Sequence, residues 1–321
     1  MDHMDCLKVN VRKVAVIGCG FVGSSTAFAL MQSGLFSEMV LIDADTDRAD
    51  GEALDISHGT PFARPMKIYA GTYRDITDAA IIIITAGANQ KPDESRLDLV
   101  TKNTKIMRSI IEEIMQHRCE GILVVVSNPV DILTYEALKI SGLPKNRVIG
   151  SGTVLDTGRL KSELGEHLGI DSRSIHAFII GEHGDSEIAA FSSANVSGVP
   201  LHDVCEMRGY YDHEASMQEI AKTVKNSAYE IIEKKKATYY GIAMSVRRIC
   251  EAIVRDEKSI LSISVLVDEK HTYGIQDIVL SMPAIVGANG AQGQVPISLN
   301  SEEQQQLKES AALLKEIIKK L

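Results

Sequence analysis

A histidine, His183, stands in the stretch "GEHGDSE" (181–187), directly after the apolar run "HAFII". Its side chain could act as a general acid or base near neutral pH, because the reference pKa of histidine is about 6.5. A histidine in a loop is nevertheless more often structural or solvated than catalytic. The acid–base interpretation of His183 therefore depends on partners elsewhere in the chain.

Two charged residues of a suitable kind occur in "GTVLDTGRL" (152–160), where Asp156 and Arg159 are three residues apart on a predicted helix. This spacing places both on one helix face and is typical of an ordinary ion pair. A carboxylate can also orient an imidazole and favour its charged form. A guanidinium can bind a carboxylate through two parallel hydrogen bonds.

Polar loops carry three further candidates. The stretch "AGANQKPDESRLDLV" (86–100) contains Gln90 and Arg96 and is long and polar enough for a mobile lid. "VVVSNP" places Asn128 directly after a predicted buried strand. Taken alone, Arg96 is better explained as a solvated or helix-capping charge, and Asn128 as a turn residue before proline.

A glycine-rich turn, "GCGFVG", gives Gly18, Gly20 and Gly23 the pattern G-x-G-x-x-G between a predicted strand and a predicted helix. Gly18 permits a tight turn, Gly20 lets the backbone approach a pyrophosphate, and Gly23 lets the helix pack closely on the sheet. Asp43, twenty residues beyond Gly23, can accept hydrogen bonds from ribose hydroxyls and would repel a 2′-phosphate. The motif therefore predicts NAD rather than NADP. A glycine-rich turn without a ligand is the alternative.

The elements that must position these residues follow from the hydrophobic pattern. In the first half, apolar runs alternate with helical patterns, which predicts a parallel sheet covered on both faces. The predicted strands are 13–18, 39–43, 66–71, 79–87 and 121–129, and the predicted helices are 21–34, 48–59, 97–117 and 131–142. Ligands of such sheets bind beyond the carboxyl ends of the strands, where the polar loops begin.

After about residue 150 the pattern changes to that of an α+β domain. A helix at 155–168 precedes β-prone pieces within 188–204 that are typical of antiparallel strands. Further predicted elements are helices at 212–235 and 241–256, strands at 259–267 and 276–287, and a final amphipathic helix at 302–320. The sequence therefore predicts two domains, at residues 1–150 and 151–321.

Bulk properties exclude several function classes. A net charge of −9 without a Lys/Arg block argues against nucleic-acid binding, which needs a basic face. Five scattered cysteines without a C-x-x-C pair predict reduced thiols, with neither a disulfide framework nor a metal site. The N-terminal residues lack the features of a signal peptide, and no apolar run is long enough to span a bilayer. We therefore expect a cytoplasmic protein.

Seven motifs together resemble one family. "GCGFVGSS", "LIDAD", "AGANQKPDESRLDLV", "SNPVDI", "GTVLDTGRL", "IIGEHGDSE" and "ATYYGIAMSV" follow the order expected of the L-lactate/malate dehydrogenase family, from Gly18 to about Val246. The chain most closely resembles the bacterial L-lactate dehydrogenases of that family. The resemblance implies an α/β fold, with a Rossmann-type doubly wound parallel sheet followed by an α+β catalytic domain containing antiparallel strands.

The resemblance also implies a role for each candidate in pyruvate reduction. Protonated His183 would donate a proton to the keto oxygen and act as base in lactate oxidation, while Asp156 holds the imidazole. Arg159 would bind the substrate carboxylate. Arg96 would polarise the carbonyl, and Asn128 would hydrogen-bond near the same oxygen.

Substrate choice is implied to rest on Gln90 and Thr238. The malate enzymes of the family have an arginine at the position of Gln90, so a second substrate carboxylate would lack a partner here. Thr238 would limit the room for the substrate side group. A branched-chain 2-hydroxyacid dehydrogenase and malate dehydrogenase stay open as alternatives, as does a non-catalytic NAD-binding sensor on the same fold.

The implied cofactor is NAD, and the implied NAD-binding residues belong to the glycine loop, the strand ends and one later helix. Ile242 would pack on the nicotinamide ring, although a core position on its helix explains it equally well. The full implied set is Gly18, Gly20, Phe21, Val22, Gly23, Asp43, Ala86, Gly87, Ser127, Asn128 and Ile242.

The family further implies a homotetramer and, in some bacterial members, activation by fructose 1,6-bisphosphate at a subunit interface. His176 matches the interface histidine, but Lys161 stands where an arginine is usual, and lysine lacks the bidentate fork. We expect weak or absent activation, with two unrelated surface cations as the alternative. Asp93 also departs from the family, since a glycine is common at that loop position.

Overall fold

The structure is a computed structural model that describes residues 9–88, 96–268 and 270–321, and only the backbone of Arg96. Two compact units are present. The first comprises Met1–Ser151, Tyr239–Ser259 and Val286–Gln292, and the second comprises Gly152–Thr238, Ile260–Ile285 and Gly293–Leu321. The predicted division of the chain into domains at residue 150 stays a prediction.

The helices match the predicted ones in number and order, apart from one that the sequence pattern did not indicate. They are α1 (Phe21–Ser33), α2 (Thr46–His58), α3 (Arg96–Gln116), α4 (Val130–Ser141), α5 (Val154–Leu168), α6 (Leu201–Met207), α7 (His213–Lys235), α8 (Tyr240–Val254) and α9 (Ser301–Ile318). As predicted, α1 ends at Gly34, which adopts the left-handed conformation with φ 66°. None of the helices among the described residues is long and apolar enough to cross a membrane.

The strands confirm the α/β fold class. They are β1 (Asn10–Ile17), β2 (Glu38–Ile42), β3 (Lys67–Ala70), β4 (Ala79–Ile84), β5 (Ile122–Val125), β6 (Val148–Gly150), β7 (Ile175–His176), β8 (Ile179–Ile180), β9 (Ile188–Ala189), β10 (Asn195–Val196), β11 (Val199–Pro200), β12 (Ser259–Leu266), β13 (Val279–Gly287) and β14 (Gly290–Gln294).

A parallel sheet forms the centre of the first unit, with strand order β6-β5-β4-β1-β2-β3. Its middle strands are apolar throughout because helices cover both faces. In β4, for example, all four isoleucines from Ile81 to Ile84 are fully buried. The carboxyl ends of β1, β4 and β5 therefore lie side by side, and each is followed by one of the loops singled out in the sequence.

The second unit combines helices with short antiparallel strands. Apolar residues of α5 and α7, including Leu160, Leu164 and Val224, share one core with β7 and β8. The antiparallel pair β8 and β9 is joined by residues 181–187, the segment that carries His183. Gly181 at the start of this segment pairs with Ser281 of β13, which fixes the segment at its base.

The predicted β-prone pieces within 188–204 include β9, β10 and β11, but the prediction was wrong for the last residues of this range, because α6 begins at Leu201. The apolar residues Leu201, Val204 and Cys205 are buried on one side of this short helix. Val204 and Cys205 follow Leu201 by three and four residues, which is the spacing of one helix face. A helix of only seven residues repeats this spacing too few times for the pattern to be recognised in the sequence. The strand β6 was missed because three residues show no period, and β14 because its sequence, GAQGQ, lacks an apolar alternation.

Candidate active site

The glycine loop between β1 and α1 has the geometry of a dinucleotide-binding turn. Gly18 adopts φ 98°, and a Cβ there would lie 2.5 Å from the backbone nitrogen of Ala86. A Cβ at Gly23 would lie 1.8 Å from the carbonyl oxygen of Gly18. A Cβ at Gly20 would meet none of the described atoms within 4 Å. Gly18 and Gly23 thus allow tight packing, while Gly20 leaves open space at the N-terminus of α1, where a pyrophosphate can approach the backbone.

Asp43 lies beside this loop at the end of β2. Its Oδ2 accepts a hydrogen bond from the Cys19 N–H at 2.5 Å, and its Oδ1 accepts one from the Asp45 N–H at 3.0 Å. Both backbone amides hold the carboxylate next to the glycine loop. An acceptor in this place suits a ribose diol, and its charge disfavours a 2′-phosphate. The residues present therefore fit NAD.

The ends of β4 and β5 are tied together by side chains. The Ser127 hydroxyl donates to the carbonyl oxygen of Ala86 at 2.6 Å. Asn103, on α3, hydrogen-bonds to the backbone of Ala88 and of Asn128. The Asn128 side chain itself is exposed at the end of β5. Asn103 is a residue that sequence reasoning missed; its only signal was an amide on the apolar side of a helix.

The remaining predicted cofactor residues of the first unit lie near the glycine loop or on α8, which packs against α1. Phe21 is 63% exposed, and its ring stacks on Tyr239 with centroids 5.4 Å apart. Val22 and Ile242 are half-buried. The roles predicted for these three residues stay predictions.

In the second unit, His183 and Asp156 form the predicted pair. His183 Nδ1 lies 2.7 Å from Asp156 Oδ2, and Asp156 is 2% exposed. Because an ionised carboxylate can only accept, Nδ1 carries a proton, and Nε2 is the nitrogen that can exchange a proton with a substrate. Buried Asp156 thereby fixes the orientation of the imidazole.

Arg159 donates from Nη1 to the other oxygen of the same carboxylate, Oδ1, at 2.8 Å. The ordinary i,i+3 ion pair considered for this helix is therefore present together with the His183 contact. Burial acts to raise the pKa of Asp156, but the charges of His183 and Arg159 outweigh it and hold the pKa below its ordinary value. Asp156 is thus a buried anion that stabilises a cation on either side.

Glu187 belongs to the same cluster, although no role was predicted for it. One ligand atom from each of Asp156, His183 and Glu187 lies within 4.8 Å of the others. Burial and the charge of Asp156 raise the pKa of Glu187 to about 8, against the opposing effects of His183, Arg159 and Lys225. Glu187 is therefore largely protonated at neutral pH. Both oxygens of Asp156 already accept hydrogen bonds, which disfavours a metal ion here; the expectation of no metal stays a prediction.

Neighbouring polar contacts hold the segment around His183. Asp185 accepts hydrogen bonds from the Tyr229 hydroxyl at 2.8 Å and, through its carbonyl oxygen, from the Lys225 ammonium, both on α7. Ser186 donates to the buried carboxylate of Glu182 at 2.6 Å. The segment is thus fixed on both sides of His183, as an acid–base group requires.

Three other predicted site residues lie in the second unit. Thr238 is half-buried in the second unit, after α7. Lys161 is half-buried on α5, where burial lowers the pKa of its ammonium group, and His176 is exposed in β7. Gln90, Asp93 and the Arg96 side chain lie outside the described residues, so their predicted roles stay predictions.

The family models describe the chain in two parts. Residues 12–150 match the lactate/malate dehydrogenase NAD-binding domain, and residues 153–321 match the lactate/malate dehydrogenase alpha/beta C-terminal domain. With the glycine loop, Asp43 and the His183 cluster, these matches define an NAD-dependent dehydrogenase. The chain belongs to the lactate/malate dehydrogenase family.

Similar proteins include several bacterial L-lactate dehydrogenases. The L-lactate dehydrogenase of Acetivibrio thermocellus is 53% identical over 97% of this chain and 98% of its own length. L-lactate dehydrogenase 1 of Clostridium acetobutylicum is 52% identical over 95% and 96%. The ligand-bound crystal structure of the minor L-lactate dehydrogenase from Enterococcus mundtii has a TM-score of 0.92 and 44% identity, covering 97% of this chain and 98% of that chain.

Proposed function

We propose that the chain catalyses the reversible, NADH-dependent reduction of pyruvate to (S)-lactate. The observation that carries the proposal is the Asp156 carboxylate, which contacts His183 Nδ1 through one oxygen and Arg159 through the other. A proton donor and a carboxylate-binding cation held by one buried anion suit a 2-keto acid. The near-full-length similarity to L-lactate dehydrogenases supports the same activity.

His183 donates the Nε2 proton to the substrate keto oxygen during reduction and takes it back during lactate oxidation. Asp156 favours the charged imidazole and keeps Nε2 directed away from itself. Arg159 binds the substrate carboxylate, for which the planar guanidinium offers two parallel donors. Bound NADH supplies the hydride, and the residues that would hold NADH are the glycine loop, Asp43 and the loops after β4 and β5.

The preference for pyruvate is proposed to rest on Gln90 and Thr238, as the family resemblance implies. A neutral Gln90 gives a second substrate carboxylate no ionic partner, which disfavours oxaloacetate. Arg96 is proposed to polarise the carbonyl and Asn128 to bind near the same oxygen. Branched-chain 2-keto acids are the closest competing substrates because Thr238 limits the side group only by its size.

A substrate panel tests this proposal. The loss of NADH absorbance is followed with pyruvate, oxaloacetate and 2-ketoisocaproate in parallel, each also with NADPH. We expect the highest kcat/KM with pyruvate and NADH. A preference for oxaloacetate or 2-ketoisocaproate would contradict the assigned substrate, and no turnover with any of the three would favour an NAD-binding sensor instead.

The proposal extends to the cellular setting and the assembly of the enzyme. Burial raises the pKa of the Cys19 and Cys250 thiols to about 12, which suits reduced cysteines in a cytoplasmic enzyme of glycolysis and fermentation.

Family resemblance supports a homotetramer, which light scattering at several protein concentrations tests. A fructose 1,6-bisphosphate site at Lys161 and His176 would give weak activation at most. Strong activation in the pyruvate assay would contradict that proposal.

A further inference from the structure

Asn103 lies in the middle of α3, where its amide group is buried and turned toward the carboxyl ends of the parallel strands. The residue is only 3% exposed. Its Oδ1 accepts a hydrogen bond from the Ala88 N–H at 2.8 Å, and its Nδ2 donates to the Ala88 carbonyl oxygen at 3.2 Å. Nδ2 also donates to the Asn128 carbonyl oxygen at 2.8 Å. One side chain thus joins the loop after β4 to the loop after β5.

These three hydrogen bonds use the amide in a way that no other small side chain reproduces. Both hydrogens of Nδ2 are engaged, and Oδ1 has a backbone donor opposite it. The orientation of the amide is therefore fixed, because a flipped amide would set a donor against the Ala88 N–H. An aspartate at this position would keep the acceptor but place a second oxygen against two carbonyl oxygens.

The groups that Asn103 holds are next to residues with predicted ligand contacts. A Cβ at Gly87 would lie 3.6 Å from both amide atoms of Asn103, so the amide packs directly against this part of the loop. Fixing the carbonyl oxygen of Asn128 fixes the peptide plane that follows it and so restricts the direction of the Asn128 side chain. That side chain is exposed.

We infer that Asn103 is a positioning residue, which orients Asn128 for contact with the reacting carbonyl of the substrate. The inference rests on the proposed function, because it gives Asn128 a ligand to contact. Displacing a polar group by about 1 Å at a reacting centre can cost on the order of 100-fold in rate. Asn103→Ala should therefore lower kcat/KM for pyruvate by roughly that factor. The affinity for NADH should fall by a smaller factor than kcat/KM, because Asn103 holds only the loops after β4 and β5, whereas the glycine loop and Asp43 are untouched.

A double-mutant cycle separates positioning from a general structural role. We measure kcat/KM for pyruvate, the Kd for NADH by fluorescence titration, and Tm for wild type, Asn103→Ala, Asn128→Ala and the double variant. If Asn103 acts through Asn128, removing the Asn128 side chain should reduce the effect of Asn103→Ala from roughly 100-fold to less than about tenfold. An equal effect in both backgrounds would overturn the inference, as would wild-type kinetics of Asn103→Ala.

Two further variants complete the design. Thr104→Val is the matched control, since Thr104 is the next residue of α3, is buried, and has a hydroxyl with no hydrogen-bond partner among the described residues. We expect wild-type kinetics from it. Asn103→Ser removes the amide without adding a buried charge, and it replaces Asn103→Ala in the same double-mutant cycle if Asn103→Ala fails to fold. Failure of wild-type enzyme to reduce pyruvate would instead contradict the proposed function, so the two failures are distinguishable.

Discussion

His183 Nδ1 and Asp156 Oδ2 lie 2.7 Å apart, and Arg159 occupies the second oxygen of the same carboxylate. One buried anion therefore serves two cations with different tasks, proton transfer and carboxylate binding. Substitutions at Asp156 should accordingly affect both tasks, whereas substitutions at its two partners should separate them. Glu187, whose pKa is raised to about 8 beside this anion, adds a group that is sensitive to mild alkali.

Asp156→Asn should reduce kcat/KM for pyruvate by about 100-fold or more, because the neutral amide no longer favours the imidazolium form of His183. The apparent pKa that governs pyruvate binding should fall, so activity is lost at a lower pH than in wild type. Profiles of kcat/KM against pH measure both effects. Asp171→Asn, at an exposed i,i+2 ion pair with Arg173, is the control and should leave the profile unchanged. A wild-type profile for Asp156→Asn would show that Asp156 does not influence the protonation of His183.

Arg159→Lys should raise the KM for pyruvate by roughly 30-fold, with a smaller change in kcat. Lysine keeps the charge but loses one of two parallel hydrogen bonds, and a hydrogen bond to a charged group contributes about 2 kcal/mol. Steady-state kinetics with pyruvate check the expectation, with Arg173→Lys at the exposed pair as control. An unchanged KM would show that Arg159 does not bind the substrate carboxylate.

Glu187→Gln should stabilise the protein at pH 8 relative to wild type, by roughly 2–4 °C in Tm for each kcal/mol gained. The folded-state pKa of Glu187 is raised to about 8, so the folded protein binds a proton that the unfolded chain releases above about pH 4.5. Wild type therefore loses stability as the pH rises between these values, and glutamine removes that loss. Asp156 affects stability in the opposite direction. Its pKa is lowered in the folded protein, so its contribution to the free energy of unfolding is present above its ordinary pKa and is lost on acidification.

Thermal unfolding of wild type and Glu187→Gln from pH 4 to pH 8.5 measures this effect. The two curves of Tm against pH should converge at the acid end and diverge toward pH 8. Glu316→Gln, which removes an exposed carboxylate of α9, is the matched control and should follow wild type throughout. A constant difference between Glu187→Gln and wild type would mean that folding does not raise the pKa of Glu187.

Asp43→Ala should weaken NADH binding and narrow the preference for NADH over NADPH, because the carboxylate that accepts ribose hydroxyls and repels a 2′-phosphate is removed. The KM values for both cofactors measure this change. Asp47→Ala, an exposed residue of the first turn of α2, serves as control. Since Asp43 also accepts the Cys19 N–H, Tm is recorded alongside. An unaltered ratio of the KM for NADPH to the KM for NADH would contradict the role of Asp43 in binding the ribose.

Sequence patterns predicted much of this architecture for identifiable reasons. The buried strands of the parallel sheet are apolar on both faces, and Gly18, Gly23 and Gly34 stand where close packing or a positive φ requires glycine. The proximity of His183 and Asp156 was only implied by resemblance, because 27 residues separate them along the chain. Asn103 and Glu187 were missed because their importance comes from burial beside distant groups, which a linear pattern does not show.

His183→Asn tests the central claim most directly. Asparagine cannot exchange a proton near neutral pH, and general acid–base catalysis contributes on the order of 100- to 10,000-fold. We therefore measure kcat for pyruvate reduction together with the Kd for NADH. The proposed mechanism predicts a fall in kcat of about 1,000-fold or more with the Kd for NADH within about twofold of wild type. Turnover close to that of wild type would contradict the role of His183 as the proton donor.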